Sequence, residues 1–309
     1  MTNAPERPPA KAVGAPTQAG THSRLDIAES RHGARTLRGT LPLRVELTRQ
    51  VRRRRTQAVA ILVLALPILI ALAFRIGGTG GSDTGGGPAL LAVATSGAGN
   101  FALFTEYVSV GFLLVVMVAL FCGDSVASEA SWSSLRYLLA IPVPRARLLR
   151  QKLVIALVLS FSAQLLLPLW AFLIGGAFFG WAPVESPLGG SFGWGEAVSR
   201  LLIVLAYSCG QSLVVAGLAF LLGVLTDAPL GAVGGSVMLV IVSNILDSIT
   251  ALDPYRQFLP THFQYSWVDA LGPDIVWDDM MRGTGLALVY AAIFLAAAWI
   301  VFDRKDITS

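Results

Sequence analysis

Arg52-Arg53-Arg54-Arg55-Thr56-Gln57-Ala58-Val59-Ala60-Ile61-Leu62-Val63-Leu64-Ala65-Leu66-Pro67-Ile68-Leu69-Ile70-Ala71-Leu72-Ala73-Phe74 sets four cations against an apolar run that no charge interrupts. A bilayer core is crossed by ~20 apolar residues in a helix, because lipid offers backbone groups no hydrogen bonds and the chain must satisfy its own. The stretch therefore predicts a transmembrane helix over 57–76, its start held at the headgroups by the arginines. The basic, unstructured segment ahead of it lacks a signal peptide's pattern, so the run is expected to stay in the mature chain.

The same reading finds further spans at 102–122, 153–178, 200–225, 230–249 and 284–302. With 54% hydrophobic and 14% charged residues, the composition is that of a lipid-embedded domain, although 309 residues would suit two soluble ones. The expected fold class is an all-α polytopic membrane protein with six transmembrane helices. Residues 1–39, rich in Pro, Ala, Gly and Arg, predict a disordered tail. Residues 40–56 predict an amphipathic interfacial helix, with Leu43, Leu47 and Val51 on one face. Residues 57–309 form the six-span domain.

Nineteen of the twenty-three Lys and Arg fall on one side of this layout, which predicts that side, and both termini, to be cytoplasmic. The others, Arg75, Arg200, Arg256 and Arg282, stand near outer span ends, where long side chains snorkel to water. Arginines clustered beside apolar runs point to a lipid surface and away from nucleic acid. Cys122 and Cys209 both lie inside spans, which excludes a disulfide framework and a CxxC site. The outer segment 250–283, with Tyr255, Phe258, Phe263, Tyr265, Trp267 and Trp277, carries enough apolar surface to fold against the membrane's outer face. Gly176/Gly180 and Gly231/Gly235 have the spacing that lets helices approach closely.

Catalytic chemistry finds little material. His22 and His32 are in the tail and His262 in an outer segment, so no HExxH or buried histidine cluster exists. The span serines 109, 160, 162, 208 and 212 have no histidine to activate them and are expected to bond to their own helices. Polar side chains at membrane depth face protein or a water-filled path, so Glu106, Gln164, Gln211, Asn244 and Asp247 are candidates for lining a pathway or for packing helices. Tyr207 and Gln211 are spaced to meet on one helix, and Ser243, Asn244, Asp247 and Ser248 share a face. Glu106 could instead pair with Arg75, and Asp247 could lie in headgroup water.

The cytoplasmic loop after span two runs Asp124-Ser125-Val126-Ala127-Ser128-Glu129, through Trp132-Ser133-Ser134-Leu135-Arg136-Tyr137-Leu138-Leu139, to Pro142-Val143-Pro144-Arg145 and Lys152. Trp132, Leu135 and Leu139 would form one apolar stripe on a helix too short and too charged to span, which needs either the lipid interface or a protein partner to pack on.

Glu129, the leucines at 135, 138 and 139, Pro142-Val143-Pro144-Arg145 and Lys152 resemble the cytoplasmic-loop pattern of type-two ABC transporter permeases. The six-span layout, the surface helix before span one, the aromatic segment before span six and the ending Phe302-Asp303-Arg304-Lys305-Asp306-Ile307 are similar too, so the resemblance covers about 40 to 309. Where that family often carries Gly-Thr, this chain has Ser133-Ser134 behind Trp132. The resemblance implies an exporter subunit that works as a dimer with a second copy or a paralogue. It also implies a coupling helix, marked by Glu129, Trp132, Leu135, Arg136, Leu139 and Arg145, that docks on a separate ABC ATPase. Lys11, Lys152 and Lys305 are the only lysines and none completes G-x-x-x-x-G-K-[ST], so ATP and Mg²⁺ are expected on that partner and no cofactor on this chain. The chain itself is then not an enzyme. Two rival readings remain open, an ion-driven secondary transporter and a non-transporting membrane scaffold or regulator.

Overall fold

The computed structural model describes residues 43–77, 93–131, 145–187, 189–226 and 228–304. The tail predicted over 1–39 and the loop 132–144 lie outside them. The helices are α1 (Leu43–Val51), α2 (Arg54–Gly77), α3 (Ala98–Val110), α4 (Leu113–Ser131), α5 (Arg145–Phe179), α6 (Trp194–Thr226), α7 (Pro229–Asp247) and α8 (Asp278–Arg304). Five of them, α2, α5, α6, α7 and α8, are long and apolar enough to cross a membrane, and the bent pair α3–α4 can count as a sixth. The chain is an all-α multi-pass membrane protein.

Each expected span coincides with a long helix except the second. There the chain bends by 59° between α3 and α4. Thr105 Oγ1 donates to the Phe101 carbonyl and Ser109 Oγ to the Thr105 carbonyl, while the Gly111 and Phe112 amides both turn to the Ser109 carbonyl. Hydroxyls that compete for carbonyls in consecutive turns loosen the helical ladder. A side chain at Gly111 would also collide with the Tyr265 hydroxyl, so the bend is where residue 265 seats.

The bundle has a basic end, carrying Arg52–Arg55, and an aromatic end, carrying 250–277. At the basic end α4, α5, α6, α7 and α8 share a core of Val118, Cys122, Leu149, Ala219, Phe220 and Phe302. Gly123 and Gly223 bring the α4 and α6 backbones into direct contact, since a Cβ on Gly223 would overlap the Gly123 carbonyl. The predicted Gly176/Gly180 pair behaves differently, whereas Gly235 of the second pair lets α7 close on Leu222 of α6. Gly176 accommodates the Trp181 indole, and Gly180, at φ 87°, turns the chain out of α5, so that pair ends a helix instead of joining two.

Two of the four arginines meet a carboxylate. Arg53 and Arg55 both pair with Asp124 near the end of α4, and Arg53 also donates to Ser128 Oγ at 3.2 Å. Among the described side chains of α1, Glu46 is buried while Val51 is exposed. Burial pushes the Glu46 carboxyl up, but the hydrogen bond from Arg49 at 2.7 Å, the nearby charges of Lys152 and Arg49 and the Gln50 amide together hold it below its ordinary value. The Lys152 charge of α5 thus acts on Glu46 of α1.

At the aromatic end, three short 3₁₀ turns, Thr250–Leu252, Tyr255–Phe258 and Ser266–Leu271, lie in the segment before α8. Trp267, Phe263 and Leu271 are buried, whereas Tyr255 and Phe258 remain on the surface. A two-stranded hairpin, β1 (Val184–Glu185) with β2 (Ser191–Phe192), lies between α5 and α6. Asn100 of α3 holds it, donating to the Glu185 carbonyl and accepting from the Glu185 amide. Arg200 does not snorkel to water. It is 4% exposed, donates to the carbonyls of Ala270, Gly272 and Pro273, pairs with Glu196, and lies 4.1 Å from the Phe192 ring centre. A guanidinium has five donors, enough to gather three carbonyls that no helix satisfies.

Candidate functional site

A cavity of about 280 Å³ opens among α4, α5, α6, α7 and the segment 260–264. Its walls are mostly valine and leucine, Leu114, Val115, Val118, Val214 and Val240 among them. Gln164, Ser208, Gln211, Ser212, Thr261 and Gln264 supply its polar groups, and among the described residues no charged side chain lines it. Apolar walls with a few placed polar groups are what small-molecule sites share.

Of the residues singled out in the sequence, Gln164 and Gln211 come together here. Gln164 is 1% exposed; its Nε2 donates to Ser212 Oγ at 3.1 Å, and its Oε1 has no partner. Pro168, one turn further along α5, has no amide hydrogen to give the Gln164 carbonyl, which leaves another acceptor at this level. Gln211 donates to the Tyr207 hydroxyl at 2.9 Å, and that hydroxyl donates to the Phe263 carbonyl at 2.7 Å. The expected Tyr207/Gln211 pairing thus also ties α6 to the outer segment.

Asn244 and Asp247 are used elsewhere. Gln264 Nε2 donates to Asn244 Oδ1 at 3.2 Å, Thr261 and Ser243 share a hydroxyl contact of 2.7 Å, and His262 Nδ1 lies 2.5 Å from Asp247 Oδ1. Three side chains of α7 therefore hold 261–264 over the cavity. Arg256 reinforces the corner, donating to the Asp247 carbonyl and pairing with Asp253.

Glu106 does not pair with Arg75, which is exposed at the end of α2. It is fully buried beside Ser208, and among the described residues its carboxyl oxygens have no other polar side chain within reach. The bend at residue 111 places it level with the middle of α6, deeper than a position near a span end implied. Ser109, Ser160 and Ser212 do bond to their own helices, but Ser208, expected to do the same, does not. Composition carries no signal for that difference, because it depends on what the neighbouring helix presents.

The loop residues Trp132, Leu135, Arg136 and Leu139 lie outside the described residues. Glu129 and Arg145 fall at the ends of α4 and α5, with their side chains outside the description as well.

Comparison with curated proteins finds no match. One family does match: its description reads "protein of unknown function (DUF2705)", and it covers residues 90–308, from just before α3 through α8. That is more than half of the chain, so the chain belongs to this family.

Proposed function

We propose that this chain is the membrane subunit of an ATP-driven exporter of the type-two ABC class, with six spans, both termini in the cytoplasm, and the cell membrane as its site. It works as a dimer with a second copy or a paralogue, and its energy comes from separate ATPase subunits that bind ATP and Mg²⁺. The observation that carries this reading is the cavity enclosed among the spans, with polar groups from α5 and α6 and a tethered segment over it. A transported molecule needs such a station, partly solvated by protein and closable at one face. The loop pattern through 129–145 supports the coupling role, and the absence of a phosphate-binding loop from the sequence supports a separate energy source.

Glu106 favours a second reading. A buried carboxyl with only a serine beside it is what an ion-coupled carrier uses to bind a proton or a metal cation, and an ion-driven secondary transporter would place one near its substrate. Reconstitution separates the two. The chain purified alone should hydrolyse no ATP, and purified from its native membrane in mild detergent it should bring an ATPase whose turnover reconstituted vesicles couple to transport. Hydrolysis by the isolated chain, or transport that ignores ATP and collapses with a protonophore, overturns the ABC reading.

A further inference from the structure

Each of the polar side chains lining the cavity already makes a hydrogen bond within the protein. Gln164 gives its amide to Ser212 and Ser212 its hydroxyl to the Cys209 carbonyl, Gln211 donates to Tyr207, and Ser208 donates to Glu106. Gln264 donates to Asn244, and Thr261 shares a contact with Ser243. Gln164 Oε1, which has no partner, is buried away from the open space. What that space meets is chiefly the apolar wall of Leu114, Val115, Val118, Val214, Leu218 and Val240. A charged or strongly polar occupant would lose its water there and recover little, whereas an apolar one gains dispersion contacts on every side. With no charged side chain among the described lining residues, nothing in the wall would balance an ion.

Size and access narrow the class further. An engineered apolar cavity of about 150 Å³ takes up benzene, and at about 280 Å³ this one has room for roughly two such rings. Toward the aromatic end it is roofed by Pro260, Thr261 and Gln264, which Ser243 and Asn244 tether, so a lipid whose headgroup stays at that end meets the roof before the cavity. The side is different. α7 packs on α4 and α6, α8 packs on α6 and α5, and the cavity reaches from Leu239 and Val240 of the one to Phe294 of the other across α6. Leu239 is 49% exposed while it lines the cavity, so that part of the wall is also bundle surface. We propose that the cavity binds an uncharged, compact apolar molecule of about two fused rings, which enters sideways from the membrane past Leu239. The proposal names a substrate class for the transport reading, on which its physiological meaning rests. Binding needs only this chain, so its test is independent of any ATPase.

The test is equilibrium dialysis of radiolabelled naphthalene against the purified full-length chain in neutral-lipid nanodiscs, with uptake by empty nanodiscs of the same lipid subtracted. It should show a saturable component that unlabelled naphthalene displaces. 2-Naphthoate, the same rings with a carboxylate, should compete at least about a hundredfold less well, because its charge loses water and meets no partner. Hexadecane, a lipid tail without a headgroup, should displace far less than naphthalene does. Val118→Trp puts an indole into the space and should remove the saturable component. Val240→Phe fills it from another wall and serves if Val118→Trp fails to run as a single species on size exclusion. Leu239→Trp, at the rim, should slow release of bound naphthalene into excess empty nanodiscs severalfold, and an unchanged rate would overturn the side entry. Uptake no greater than in empty nanodiscs, equal competition by 2-naphthoate, or undiminished binding in both filled variants would overturn the proposal. Displacement by hexadecane as strong as by naphthalene would overturn it too, by assigning the cavity to lipid tails. Any of these results would leave ATP-driven transport to its own experiment.

Discussion

Asp124 is buried at 5% exposure and answers both Arg53 and Arg55. Removing one partner of a buried ion pair strands the other charge, and the partial exposure of both arginines reduces the cost to ~1–2 kcal/mol. Asp124→Asn should therefore lower the thermal unfolding midpoint in detergent by a few degrees, and Asp124→Arg should lower it further. Combining Asp124→Arg with Arg55→Glu should recover part of the loss. A midpoint unchanged by either single substitution would show that lipid headgroups, and not Asp124, anchor this arginine run. From sequence the four arginines look equivalent, and the two with a partner differ only in the direction in which the helix turns them. Arg200 teaches the same point, since its three carbonyls lie some seventy residues away and proximity to a span end predicts snorkelling instead.

At the scale of elements, span existence is legible because lipid imposes length and apolarity on every crossing segment. The α3–α4 bend is not, because Val108 to Phe112 is as apolar as a straight helix, and the cause is hydroxyl competition two turns earlier. The short hairpin escapes notice since two residues per strand give no alternation to read. Gln164 and Gln211 stand out as amides inside apolar runs, whereas Ser208 looks like any other span serine. The loop 132–144 is the element the transport reading leans on most. If Trp132, Leu135 and Leu139 form the face that docks on an ATPase, Leu135→Asp should cost ~2 kcal/mol or more of that contact, about thirtyfold in affinity. At matched membrane levels the variant should recover far less ATPase and lose transport. Equal recovery and equal transport would leave the stripe resting on lipid.

For the whole molecule, the basic asymmetry fixes an orientation. Cysteines placed at Gly86 and Ser186 should react with an impermeant thiol reagent applied to intact cells, while one at Ser133 should not. Ser186 is a stringent choice because its hydroxyl bonds to the Leu271 carbonyl, so its labelling also reports whether the hairpin opens. Labelling at Ser133 from outside would invert the topology and move the proposed ATPase contact to the wrong face.

The Gly123–Gly223 contact gives the bundle a fulcrum. Backbones in touch cannot slide past a side chain, but they can rock, and α4 extends from this point to the bend at Phe112 as a stiff arm of about 16 Å. A tilt of about 5° at the glycines would swing the far end of that arm by roughly 1.4 Å, carrying Leu114, Val115 and Val118 with it. Those three side chains form one wall of the cavity, and the short side of the lever is the segment that runs into 132–144. Displacement applied there would reach the cavity wall at about its own size or less, without any helix having to unwind.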